Sequence, residues 1–118
     1  MSTWTAEQEA AVSALRADLS IDTLWTCIEA FAGYEFTTWR GLPFSYTVKG
    51  GEIFVDRKEQ SKSLTRSSVE KSLEKALELM TDPGYVKGPK KLGAWGVSYI
   101  YPMFLEFGII RKKPAQDK

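Results

Sequence analysis

The chain is predicted to fold as α+β, with helices first, a small antiparallel sheet in the middle, another helix and a compact aromatic end. Three observations carry this. Apolar residues recur at helical spacing from Thr5 to Gly33 and again from Val69 to Met80. Between them the period changes to short aromatic and β-branched runs, and glycine and proline signatures separate those runs. A chain of 118 residues that is 43% hydrophobic and 26% charged can bury a core without disulfides or metals. Residues 1–113 are therefore read as a single globular domain and 114–118 as a flexible tail. Neither an internal repeat nor a low-complexity tract is present.

"TAEQEAAVSALRADL" is expected to be a helix capped by Thr5 or a neighbour, with Ala10 or Ala11, Leu15 and Leu19 inward. "IDTLWTCIEAFAG" follows as a second helix ended by Gly33, or as the second arm of one bent element. "YEFTTW", "LPFSYTVKG" and "EIFVDRK" read as strands, separated by Arg40-Gly41-Leu42-Pro43 and by Gly50-Gly51. Two adjacent glycines supply the positive φ angles of a type I′ turn, so Phe44–Lys49 and Glu52–Arg57 are expected to pair as a hairpin. "KEQSKS" is assigned to a loop. A helix over about 66–80 then buries Val69, Leu73, Ala76, Leu77 and Met80, capped by a Ser67/Glu70 capping box or by Thr65, and stops at Thr81-Asp82-Pro83-Gly84. "YVKGPKKLGAWG" reads as a basic glycine-rich loop or ribbon. A short final helix is placed at Pro102–Phe107, with proline in its first turn, Gly108 after it and "IIRKK" as a last strand.

Composition excludes several chemistries. With no histidine there is no histidine-based triad or acid/base pair, and most zinc sites are removed. Cys27 is alone, so it forms no internal disulfide; set among Leu24, Trp25, Ile28 and Phe31, it is expected to be a buried structural thiol. The first 20 residues lack the basic start and apolar stretch of a signal peptide, so the cytoplasm is the expected location. "LGAWGVSYIYPMFLEFGII" has nearly the length of a membrane span. Glu106, Pro102, three glycines and basic residues on both flanks favour a buried core element, with no membrane partner. Within it, Trp95, Tyr99, Tyr101, Phe104 and Phe107 are expected to seal the sheet.

Charge is unevenly distributed. Met1–Glu35 holds one base, Arg16, against six acids, a net charge of −5; the chain as a whole is +1, so the remainder is +6. Its bases cluster at Arg57, Lys58, Lys62 and Arg66, then at Lys87, Lys90 and Lys91, then at Arg111–Lys113. Such a pattern suits a polyanion on the basic strip, or an acidic face that packs over it. Thr65, Arg66, Ser67 and Ser68 open the helix at 66–80 with hydroxyls, a guanidinium and free backbone N–H groups, which serve equally as a plain cap or as a phosphate or major-groove contact. Thr-Arg-Ser-Ser-Val before an apolar-periodic helix resembles the start of recognition helices in helix-turn-helix and winged-helix regulators. That resemblance covers about a dozen residues and implies a winged-helix-like arrangement. The overall pattern resembles that of small soluble bacterial proteins.

The leading expectation is a non-enzymatic nucleic-acid-binding domain, of the DNA-binding regulatory kind, without cofactor or metal. Its contacts would be Arg57, Lys58, Lys62, Thr65, Arg66, Ser67, Ser68, Lys87, Lys90 and Lys91. The alternative is a protein-interaction or assembly module, including self-association, supported by aromatics at 13% of the chain. A third reading comes from the order helix, three strands, helix, which resembles the core of PD-(D/E)xK nucleases. It would use Asp56 and Lys58 of "VDRK", with Glu35 and Glu52 as further carboxylates around Mg²⁺.

Overall fold

The computed structural model describes residues 4–56, 62–94 and 96–113. Arg57, Lys58, Trp95 and the tail at 114–118 lie outside the described residues.

The acidic, alanine-rich start forms helix α1 (Ala6–Ala17). Thr5 caps it: its hydroxyl accepts from Gln8 N–H while the Gln8 side chain accepts from Thr5 N–H. Ser20 makes the same reciprocal arrangement with Thr23 at the head of α2 (Ile21–Ala30), so there are two helices and not one bent element. Ala11 and Leu15 are buried as expected. Leu19 is not, because α1 has already ended and Leu19 lies in the connection between two caps, 40% exposed. The second helix stops at Ala30, short of Gly33, whose N–H instead donates to the Tyr46 carbonyl on the sheet.

Four strands follow: β1 (Phe36–Thr37), β2 (Pro43–Lys49), β3 (Glu52–Asp56) and β4 (Lys62–Thr65). They form an antiparallel meander in the order β1-β2-β3-β4. The hairpin register is the expected one. Lys49 faces Glu52 across Gly50 and Gly51, whose φ angles of 60° and 77° are those of a type I′ turn. Because side chains alternate along each strand, Phe44 and Tyr46, Ile53 and Val55, and Leu64 share one buried face, and Ser45, Thr47, Glu52, Phe54 and Ser63 share the other. The strand β4 corrects the loop assignment at "KEQSKS". With Leu64 as its one core residue in a polar stretch, it carries no alternating pattern that would announce it.

Thr65 ends β4 and caps α3 (Arg66–Thr81) by accepting from Ser68 N–H at 3.1 Å, so Thr65, and not Ser67, is the cap. This helix buries Val69, Ser72, Leu73 and Ala76. The expected basic loop carries a 3-10 turn at Pro89–Leu92. The last helix, α4 (Val97–Phe107), begins five residues before the expected Pro102, which lies inside it. The reason is tertiary. Tyr99 to Phe104 are buried without a break, and that burial offsets the cost of about 3 kcal/mol for an interior proline. Residues 109–113 are not a strand, although Val86 N–H donates to the Arg111 carbonyl at 2.9 Å.

Helices α2 and α4 both cover the buried sheet face. Tyr46 donates to the Ile28 carbonyl at 2.7 Å, and rings Phe36–Phe107 and Phe44–Tyr99 meet edge to face at 6.2 and 5.1 Å. One hydrophobic cluster runs from Ala11 to Ile110. No helix among the described residues is long and apolar enough to cross a membrane, and most of Leu92–Ile110 is core.

The turn into α4 is the tightest junction. Gly96 has φ +81°, and a Cβ added there would run into Cδ2 of the fully buried Leu64; at Gly51, with φ +77°, a Cβ meets nothing within 4 Å. Gly51→Ala therefore costs about 1–2 kcal/mol for the left-handed backbone alone. Gly96→Ala adds an overlap in a packed interior, for a total of about 2–5 kcal/mol. Urea denaturation of the two variants checks the ordering; equal midpoints would show that Leu64 yields freely.

Candidate nucleic-acid interface

Among the described members of the expected basic strip, Arg66 and Lys87, Lys90 and Lys91 have different immediate surroundings.

The first place is the head of α3. Arg66 reaches back to α2: its guanidinium lies 2.6 Å from the Asp22 carboxylate and 5.5 Å from the centre of the Trp25 ring. Both charged groups are well exposed, at 42% and 85%, so the pair is worth about 0–1 kcal/mol. Thr65 is spent on the cap, and Ser68 donates its backbone N–H to it. Of the residues expected to read nucleic acid, Arg66 is thus already partnered by the acidic half of its own chain. Lys62 is placed in β4, and Arg57 and Lys58 lie outside the described residues.

The second place is a cleft of about 1010 Å³ between the β1–β2 loop and the segment leading into α4. One wall carries Thr38, Trp39, Arg40 and Leu42; the other carries Lys87, Gly88, Pro89, Lys90 and Lys91; Val97, Ser98 and Tyr99 of α4 complete it. The sequence builds each wall locally. Thr38 N–H donates to the Leu42 carbonyl at 2.8 Å, Gly41 N–H to the Thr38 carbonyl at 2.9 Å, and Leu42 N–H to the Thr38 hydroxyl at 3.0 Å. Three bonds in five residues close a tight turn that sets Trp39 and Arg40 outward. On the opposite wall, Tyr101 donates to the Val86 carbonyl at 2.8 Å, fixing the chain just before Lys87, and the 3-10 turn sets Lys90 and Lys91.

Electrostatically the cleft is one-sided. Arg40, Lys87, Lys90 and Lys91 line it; among the described residues no Asp or Glu lines it and none of the four joins an ion pair. Gly96 gives α4 no side-chain cap, so the positive end of that helix adds to the same potential. Sequence reading found the three lysines and missed Arg40, Trp39 and Leu42. The available signal was the placement of Trp and Arg inside a Gly-x-Pro-type turn, where a large ring has little core to enter.

The other candidates are accounted for by their surroundings. Among the described residues no three His, Cys, Asp or Glu side chains gather as metal ligands. Glu52 and Asp56 stand at the two ends of β3, about 13 Å apart for four strand residues. Glu52 accepts from the Ser63 hydroxyl at 2.8 Å, and Glu35 lies beyond β1. Glu52 is therefore not brought to Asp56, and no three carboxylates gather among the described residues. The Trp4 indole and the Tyr34 hydroxyl both donate to the Glu106 carboxylate, at 3.1 and 2.7 Å, which ties the start of the chain to α4. Cys27 is fully buried; burial pushes its thiol from 9.0 up to about 12, against a smaller downward pull from the Arg16 guanidinium.

Two measurements check these assignments. Asp22→Asn is expected to change stability by no more than about 1 kcal/mol in a urea titration, since the pair it breaks is exposed. The Cys27 thiol is expected to resist an aromatic disulfide reagent in the native state and to react fully in denaturant. Its raised value also has a sign: between about 9 and about 12 the unfolded chain has lost the thiol proton and the folded chain keeps it, so stability falls as pH rises through that window. Burial raises Tyr46 and Tyr101 in the same direction, so both add to the fall in stability above the ordinary tyrosine value of 10.0. Compared with family models, with curated proteins and with solved structures, the chain matches none of them.

Proposed function

We propose that the protein binds nucleic acid through the cleft between residues 38–42 and 87–99, with phosphates held by Arg40, Lys87, Lys90 and Lys91. The observation that carries this reading is the one-sided charge: four cations, no lining carboxylate and no ion pair among the described residues to neutralise them. In mechanism, each ammonium or guanidinium that meets a phosphate releases condensed counterions, and Arg40 adds a planar fork suited to two phosphate oxygens. Arg66 is secondary here, because its charge is already met by Asp22. The winged-helix-like reading, which would send the head of α3 into a groove, is therefore not preferred.

A second reading draws on Trp39 and Leu42, which are 53% and 48% exposed and could anchor a protein partner. The two readings differ in their response to salt.

The test is fluorescence anisotropy of labelled DNA and RNA titrated with the protein at increasing salt. With two to four phosphates neutralised, affinity is expected to fall on the order of 10- to 100-fold between about 50 and about 200 mM salt. The Lys90→Ala/Lys91→Ala double variant and Arg40→Ala are each expected to weaken binding and flatten the salt slope, by about one per cation removed. Arg66→Ala is expected to have a smaller effect than either. No binding to any strand at low salt overturns the reading and favours a protein partner.

A further inference from the structure

Trp39 gives the cleft a feature that phosphate binding alone does not require. A tryptophan is usually well buried, yet this one is 53% exposed. Its position is nevertheless fixed. The three hydrogen bonds of the 38–42 turn hold its backbone, the ring meets Tyr101 nearly edge to face at 5.3 Å and 81°, and a Cβ on Gly88 would stand only 3.9 Å from Cζ2. Arg40 follows it directly, and the three lysines stand on the other wall. A rigid, partly uncovered indole flanked by cations is the arrangement that grips a strand by its backbone and stacks on a base.

We propose that Trp39 is a stacking platform for an unpaired base, so that the nucleic acid taken by the cleft is single-stranded. This deepens the reading given above and rests on it. The geometry separates the two polymer forms. In a duplex the base faces are covered by their neighbours, leaving edges and phosphates to be touched, whereas an open strand offers each face to a ring. A cleft of about 1010 Å³ is at the upper end of what encloses a drug-sized molecule, which gives room for a few nucleotides and not for the body of a duplex. Since every base has a π-face, the recognition is tolerant of sequence.

The experiment compares three labelled DNA probes of equal length with the full chain at low salt: an oligothymidine strand, an abasic strand with the same phosphates and no bases, and a duplex. Wild type is expected to bind the oligothymidine strand most tightly. Trp39→Ala and Trp39→Leu are each expected to weaken that binding by about tenfold while leaving the abasic strand unchanged, and Trp39→Phe to retain most of it. Trp39→Leu keeps apolar bulk without a π-face, so a general loss of packing would appear in it less than in Trp39→Ala. If the Trp39 variants weaken both strands equally, or neither, or if the duplex binds as tightly as the open strand, the platform is overturned and the phosphate reading stands. If wild type binds none of the three, both fall.

Discussion

The burial of α4 is the constraint from which the rest of the structure follows. Tyr99, Ile100, Tyr101, Pro102, Met103, Phe104 and Phe107 are all buried in a helix of 11 residues, so most of its surface must be enclosed, with Ser98 left exposed at its first turn. The sheet covers one side through Phe36 and Phe44, α2 reaches the same layer through Phe31, 4.9 Å from Phe107, and Leu92, Ile109 and Ile110 add to its enclosure. Both ends are held. Gly96 lets the incoming chain press against Leu64 of β4, and at the far end Arg16 of α1 donates through Nε to the Phe107 carbonyl at 3.3 Å. A cation at a helix C-terminus is favourable in itself, and here it also joins the first helix to the last. Glu106 does the same work one residue earlier, through Trp4 and Tyr34.

The cleft inherits its rigidity from this helix. Tyr101 takes part in both walls: its ring supports Trp39, and its hydroxyl holds the Val86 carbonyl one residue before Lys87. A change at Tyr101 therefore reaches both the aromatic and the basic side of the cleft without touching either directly. Pro102 contributes in a different way. Having no N–H, it leaves the Ser98 carbonyl without its i+4 donor, and Ser98 lies on the cleft wall. An interior proline that would destabilise an isolated helix is tolerated because the helix is held by packing and not by propensity.

The same contrast decides what could be read from the sequence. The hairpin at Gly50-Gly51 and the body of α3 were legible because each depends on residues within a few positions: a turn that needs positive φ, and an apolar stripe at helical spacing. The start of α4 was not, because a local rule for proline at a helix N-terminus competed with an apolar run whose helical state is set by everything around it. Strand β4 was missed for the opposite reason. "KSLT" offers one core side chain, and its strand state comes from pairing with β3, where Leu64 faces Ile53. Of the candidate site, Lys87, Lys90 and Lys91 were visible as a basic cluster, but the wall that makes them a cleft comes from Trp39 and Arg40, nearly fifty residues earlier. Nothing short-range joins those two segments; the common partner Tyr101 does.

The uneven charge of the chain also acquires a structural meaning. The acidic α1 and α2 are not a detachable cover, since Ala11, Val12, Leu15, Leu24 and Ile28 are part of the core, and removing them would expose the sheet and α4 rather than free a basic surface. What the acidic half can do is neutralise selectively. Asp22 takes up Arg66 and no acid among the described residues lines the cleft, so positive potential is withdrawn from the head of α3 and left beside Trp39. A small domain with a net charge of only +1 cannot attract a polyanion by its overall field. It can do so where its charges are sorted in space, and the packing of α2 against α3 and of the 87–92 segment against α4 is what sorts them.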